Sequence, residues 1–242
     1  MDLFSSGQSD PARVWCEVPP CPRQPHSQRP ELDAPKADPA CQTAPGSRHP
    51  ALEGRTLARV EKKATKEGQT IVFIDESGAY LLPIVVRTYA PCGQTPILKE
   101  FLSYKHLSLI AAVTPQGRLF LTVYAHSITS REVVVFLGQL QRMIPGLLLV
   151  IWDGIPTHRS KVVKAYLAAG AAKRIHLEQL PGYASELNPT EWVWSYLKIA
   201  DLANTACDHL SELEALIKNS KRRMQRKPEL IQDFIRTAGY EV

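Results

Sequence analysis

The sequence predicts an α/β domain built on a mixed sheet, three antiparallel strands followed by parallel ones, with helices on its faces. Three observations predict it. Two short apolar runs, Ile71-Val72-Phe73-Ile74 and Leu147-Leu148-Leu149-Val150-Ile151-Trp152, pass directly into Asp75-Glu76-Ser77-Gly78 and Asp153-Gly154. Runs of this length, rich in Leu and β-branched residues, suit strands buried on both faces. Residues 107–113 and 119–124 flank Thr114-Pro115-Gln116-Gly117-Arg118, a hairpin signal. Finally, Val133, Phe136, Leu137, Leu140 and Ile144 recur with helical period just before the second run. A helix crossing into that strand implies parallel pairing there.

Each element has a local cause. Ten of the nineteen prolines fall in residues 1–50, where few side chains have apolar bulk, so residues 1–54 are expected to be a disordered Pro-rich tail and 55–242 the folded domain. Residues 57–67 are a charged, helical lead-in to a strand over about 70–76. That strand is expected to close at the Gly78 turn, with Asp75 where the chain leaves the sheet. Side chains alternate faces along a strand, so Asp75 and Glu76 cannot both point into one site. Asp75 shares the face of Phe73; Glu76 is expected to meet a neighbouring strand or a basic group. Residues 79–89 predict a second strand bent at Pro83, and 90–96 a turn.

Thr129-Ser130-Arg131-Glu132 has capping-box spacing for the crossover helix, which Pro145-Gly146 ends. Residues 160–169 predict a helix, stopped at Gly170, and 175–180 a short strand. Asn188-Pro189-Thr190-Glu191 is a further helix start: Asn at N-cap, Pro at the first helical position, Glu at N3. Val193, Trp194 and Leu197 mark its buried face, and Trp192 and Trp194 are expected to serve packing. A helix opening at residues 211–214 turns Leu213, Leu216 and Ile217 inward. It ends in Lys218, Lys221, Arg222, Arg223, Arg226 and Lys227, more cations than the helix dipole needs. Residues 228–238 form the last helix, burying Ile231, Phe234 and Ile235.

Composition narrows the function classes. A formal charge of +5 permits a polyanionic partner without implying one. Five cysteines at scattered positions, none in CxxC spacing, argue against a disulfide framework or a structural zinc site. No apolar run approaches the ~20 residues of a membrane span, and the N-terminus lacks a signal pattern, so a cytoplasmic location is expected. A G-x-S-x-G elbow and a G-x-x-x-x-G-K-[ST] phosphate loop are both missing, which removes the corresponding hydrolase and ATPase classes.

The order FIDESG, then VIWDGIPTHRSK, then LPGYASELNPTEWVWSYLK closely resembles the mariner-related bacterial insertion-sequence transposases and their Asp-Asp-Glu (DDE) endonuclease domain. The resemblance runs from about residue 55 to 198. It implies a ribonuclease-H-like fold, with Asp75, Asp153 and Glu191 as the catalytic, metal-binding residues. It implies cleavage of phosphodiester bonds at transposon ends and strand transfer to target DNA. The implied partners are double-stranded DNA and a second copy of the chain, as a dimer in the DNA complex. The implied location is the bacterial cytoplasm, at the nucleoid. Three converging carboxylates repel one another and call for a compensating cation; oxygen-only donors suit Mg²⁺ or Mn²⁺, two ions by the resemblance. Asp75 would bridge both ions, with Asp153 and Glu191 completing one shell each.

His158 matches a family histidine, which would orient a nucleophile or contact phosphate; a helix-entry hydrogen bond explains it equally well. Arg159 and Lys161 beside it, and Lys221, Arg222 and Arg223 in the charge run, are candidate DNA contacts. Two departures stand out. Ser185 replaces the family's usual Pro, and no N-terminal helix-turn-helix signal is present, so sequence-specific end recognition is expected to be weak. The alternative function is therefore a non-catalytic truncated remnant that binds DNA or full-length transposase and regulates transposition. A nuclease acting on RNA–DNA hybrids is a third reading, which the specific last motif disfavours.

Overall fold

The computed structural model describes residues 62–87, 97–98, 103–181 and 185–240. The expected 1–54 tail, the 90–96 turn and part of the third motif lie outside them. The elements below belong to one compact unit, Arg48–Val86 with Leu98–Val242. Its centre is a five-stranded sheet of order β3-β2-β1-β4-β5: β1 (Gln69–Tyr80), β2 (His106–Val113), β3 (Leu119–Tyr124), β4 (Leu147–Trp152) and β5 (Ile175–Gln179). Strands β1, β2 and β3 pair antiparallel, while β4 pairs parallel with β1 and β5 parallel with β4. A short helix α1, described over residues 62–67, leads in.

Strand alternation divides the apolar residues between two layers. Ile71, Phe73, Leu109, Ala111, Leu149 and Ile151 face one side. There they meet α4 (Thr190–Ser195), α5 (Leu210–Gln225) and α6 (Pro228–Thr237). Val72, Ile74, Ile110, Leu148 and Val150 face the other, under α2 (Ser130–Met143) and α3 (Lys161–Ala168). Helix α2 has the expected start: Thr129 accepts from the Arg131 N–H, and Glu132 reaches back to the Thr129 N–H at 2.8 Å. Its Val133, Phe136, Leu137 and Leu140 are buried, and Ile144 closes the stripe. Gly146 then takes φ 80°, a left-handed turn into β4 that glycine adopts without strain. Helix α3 is capped by Ser160, whose Oγ accepts the Val163 N–H at 3.3 Å.

Two expectations about β1 fail for one reason. Gly78 does not turn the chain, and the described part of the expected 79–89 strand, residues 79–87, does not supply a second strand; residues 88 and 89 lie outside the described residues. Strand β1 runs on through Gly78 to Tyr80, because β2 offers a partner to every residue from Phe73 to Tyr80. The ladder continues one step further, with the Leu81 N–H donating to Lys105 O at 3.0 Å. Past Pro83, which has no N–H to donate, Ile84 makes an isolated bridge to Ala203. Asp75 therefore lies inside a strand and not at its end.

At the opposite sheet edge, α5 covers β3. Lys221 Nζ donates to Leu121 O at 2.8 Å and Gln225 Nε2 to Leu119 O at 2.8 Å. The two side chains, one helical turn apart, satisfy carbonyls that an edge strand otherwise leaves open.

Candidate active site

The site forms where β1 outruns β4. Parallel pairing between them spans Gln69↔Leu147 to Phe73↔Ile151, and β4 ends at Trp152. Carried two residues further, the same register sets Asp75 level with Asp153. The two aspartates thus come from adjacent parallel strands, at the point where one strand stops and the other continues beside β2. Only the sheet register could bring residues 75 and 153 together.

Glu191 reaches this place because α4 is tied to β1 at three successive residues. Thr190 Oγ1 donates to Phe73 O at 3.3 Å, Asn188 Nδ2 to Ile74 O at 3.1 Å, and Trp194 Nε1 to Asp75 Oδ2 at 2.8 Å. Val193, Trp194 and Leu197 are buried, as the sequence pattern requires. Asn188 Oδ1 accepts the Thr190 N–H at 3.2 Å and so leads into the helix, but the N-cap is Pro189, one residue later than expected, and it carries no side-chain cap. The capping box expected of Glu191 does not form. Thr190 and Asn188 are instead held by β1, and the Glu191 side chain makes no hydrogen bond among the described residues, leaving both carboxylate oxygens available.

The electrostatics show one coupled group. Burial pushes Asp75 up from 3.8 to about 7; the Trp194 hydrogen bond opposes this, while Glu191, Glu76 and Asp153 add to it by charge repulsion. Glu191 is also raised, by burial and by Asp153, against the pull of the Lys198 ammonium. Lys198 Nζ donates to Ser77 Oγ at 2.8 Å, which holds that cation beside the carboxylates. It lies in a π-helical turn (Tyr196–Asp201) that continues α4 and closes with the Leu202 N–H on Leu197 O at 3.0 Å. Such turns re-aim a helix's side chains.

Asp153 behaves differently. Burial opposes its ionisation, but the hydrogen bond and charge of His158, with the Ile155 N–H, outweigh this and hold it below the ordinary carboxylate value. His158 is buried between two acids, its Nδ1 2.9 Å from Asp153 Oδ1 and its Nε2 2.9 Å from Glu76 Oε1. Burial works against the imidazolium, yet these acids push His158 up to about 10. Glu76 thus meets a basic group, one of the two neighbours expected of it. Its place beside the site was not legible, because His158 lies 82 residues away in sequence.

The cationic candidates separate. Arg159 and Lys161 are exposed at the entry to α3, next to His158. Lys221 is held on β3, Arg223 is paired with Asp201, and Arg222 is solvent-facing with a bond to Asn219. Residues the sequence reading did not mark for the site, Trp194 as a donor to Asp75 and Lys198 as a counter-charge, both follow from the helical spacing of Glu191, at i+3 and i+7.

Acids at adjacent inner strands of a mixed sheet, Asp75 buried and Asp153 half-buried, with a half-buried glutamate carried on a helix beside them, define the class: a ribonuclease-H-like domain with an acidic site. The DDE superfamily endonuclease family model matches residues 70–214, and the chain belongs to that family. Among solved structures, the chain is similar to the Mos1 transposase paired-end complex with left transposon end, at 16% identity over 78% of this chain and 61% of that one, TM-score 0.53. It is similar also to a pre-cleavage Mos1 transpososome, at 15% identity over 79% of this chain and 62% of that one, TM-score 0.54. The catalytic domain of Mos1 mariner transposase matches at 14% identity over 79% of this chain and 92% of that one, TM-score 0.50. At these identities the likeness shows the fold. The chain spans about 61% of the length of the transposase in its paired-end complex. No curated protein sequence matches it.

Proposed function

We propose that this chain cleaves DNA phosphodiester bonds at transposon ends and transfers the freed strand to target DNA, with Asp75, Asp153 and Glu191 holding two divalent ions. One observation carries the reading: the β1–β4 register and the three hydrogen bonds from α4 to β1 bring these acids into mutual electrostatic range. The donor set fits Mg²⁺ or Mn²⁺. Among the described residues, Asp75 has no cation of its own, Glu191 has no hydrogen bond, and Asp153 is engaged through Oδ1 alone of its two carboxylate oxygens. Hard oxygen donors of high charge select such ions over zinc. When bound, the ions supply Lewis acidity to the attacking and leaving oxygens of an in-line displacement.

The chain's own residues do the rest. Trp194 orients Asp75 and lowers the cost of its ionisation. Lys198 steadies Glu191 as a carboxylate. His158, stacked on Trp152, keeps Asp153 ionised. Exposed Arg159 and Lys161 supply cations next to the acids, where a DNA backbone would approach. Mos1 appears with a left transposon end and in structures with Mn and with Mg, which supports DNA as partner and a divalent cofactor here; a dimer in the DNA complex is part of the same proposal. Among the described residues no helix is long and apolar enough to cross a membrane, in keeping with action at chromosomal DNA in the cytoplasm.

Retention of all three acids within electrostatic range of one another favours catalysis over a non-catalytic remnant. A nicking assay on plasmid DNA with Mg²⁺ or Mn²⁺ tests this, with Asp153→Ala as control. Cleavage that stops on chelation and in the variant is expected. Cleavage unchanged in Asp153→Ala removes the assignment, and no cleavage by the wild type turns the choice to the remnant.

A further inference from the structure

Glu76 projects from the face of β1 opposite to Asp75, yet it connects to the same site through one side chain. The His158 ring is fully enclosed: its Nε2–H donates to Glu76 Oε1 at 2.9 Å, and its Nδ1–H donates to the Asp153 backbone O at 3.1 Å while lying 2.9 Å from Asp153 Oδ1. The ring lies flat on Trp152, with centroids 4.2 Å apart and planes 6° apart. Trp152 is the last residue of β4 and the immediate neighbour of Asp153, so the ring and the carboxylate it bonds share one rigid support. Asp153 Oδ1 also accepts the Ile155 N–H at 3.4 Å. That oxygen is engaged twice, and Oδ2 is left for the open side of the site.

Glu76, Asp153 and His158 offer ligand atoms within 4.8 Å of one another, so a three-ligand metal cage is the competing interpretation. It fails on donor chemistry. Nδ1 faces a backbone carbonyl oxygen, which can only accept, and Nε2 faces a carboxylate oxygen, so both nitrogens carry protons and neither keeps a lone pair for a metal.

We propose that Glu76 is a positioning residue of the acidic site: acting through His158, it orients Asp153 so that Oδ2 faces the divalent ion. The proposal rests on the metal-dependent function above. Partners that orient a ligand group are worth ~10–100-fold in metal affinity. A purely structural Glu76–His158 pair would change melting temperature and leave affinity alone.

The test is calorimetric Mn²⁺ titration of the full chain, with thermal melts run alongside. Glu76→Ala and His158→Ala should each weaken Mn²⁺ binding by ~10-fold or more, and the double variant should bind no worse than His158→Ala alone. Glu76→Gln, which keeps an oxygen for the His158 Nε2–H, should restore binding to within a few-fold of wild type. Should Glu76→Ala not fold, Glu76→Asp shortens the reach by one methylene, and weakened Mn²⁺ binding in that folded variant is the expected result. Wild-type affinity in Glu76→Ala or Glu76→Asp overturns the proposal, as do independent, multiplying losses in the double variant. Failure of the functional reading looks different: wild type itself would not bind Mn²⁺, and both ideas would fall together. Binding that Asp153→Asn loses but Glu76→Ala keeps would overturn the positioning role alone.

Discussion

Asp75→Asn should stabilise the ion-free protein, and by an amount that depends on pH. Asp75 is only 8% exposed, and its carboxyl is raised from 3.8 to about 7, by burial first and then by neighbouring acids. The folded state therefore holds a proton that the unfolded chain has released at any pH between those values. Stability is highest below the ordinary aspartate value, falls as pH rises towards 7, and levels off above it. At ~1.36 kcal/mol per pKa unit, ionising Asp75 costs the fold about 1.6 kcal/mol at pH 5 and about 4 kcal/mol at pH 8. Asparagine is nearly isosteric, carries no charge, and can accept the Trp194 N–H through its amide oxygen. The variant should melt higher than wild type at pH 8, by ~8–16 °C at the ~2–4 °C per kcal/mol typical of a chain this size. At pH 5 less than half of that gain should remain. Saturating Mn²⁺ should raise the wild-type melting temperature and leave Asp75→Asn almost unmoved. Calorimetric or circular-dichroism melts at both pH values, with EDTA or Mn²⁺, measure all of this. A variant that melts at or below wild type at pH 8, or gains equally at both pH values, would show that Asp75 carries no electrostatic strain.

Other expectations follow from the same geometry. Trp194→Phe keeps most of the buried ring but removes the donor to Asp75 Oδ2, so Asp75 should hold its proton to still higher pH. Mn²⁺ titrations at pH 7 and pH 9 should then show weakened binding that recovers at the higher value. Lys198→Met removes the cation that draws Glu191 down, and the Glu191 carboxyl should titrate at higher pH in carbon-detected NMR. A Glu191 midpoint that stays put would place Lys198 too far away to matter. Thr129→Ala, remote from the acids, deletes a formed capping box and should cost ~1 kcal/mol in denaturant unfolding while Mn²⁺ affinity stays at the wild-type value.

Much of this molecule was written in local pattern. The apolar runs at 71–74 and 147–152, the stripe from Val133 to Ile144, and the Asn188-Pro189 helix start each carry their instruction within a few residues. They became β1, β4, α2 and α4 because burial and capping act over exactly that range. The motif order likewise marks Asp75, Asp153 and Glu191 as the acids to which the proposed function assigns the ions. Local pattern failed at residues 77–87. A glycine after acidic residues looks like a turn, yet β2 offered a continuous partner and the ladder carried β1 through it.

What only the tertiary structure decided is the company each charge keeps. Sequence told Asp75 from Glu76 by alternation, but whether the far face of the strand held water or a histidine depended on a loop 82 residues downstream. The same holds for Trp194 on Asp75, Lys198 against Ser77, and the Glu191 side chain left without a cap. Secondary structure follows from short-range backbone and burial terms that a sequence window contains. The ionisation of a buried group follows from distances to charges that chain register alone sets, and register is a property of the assembled sheet.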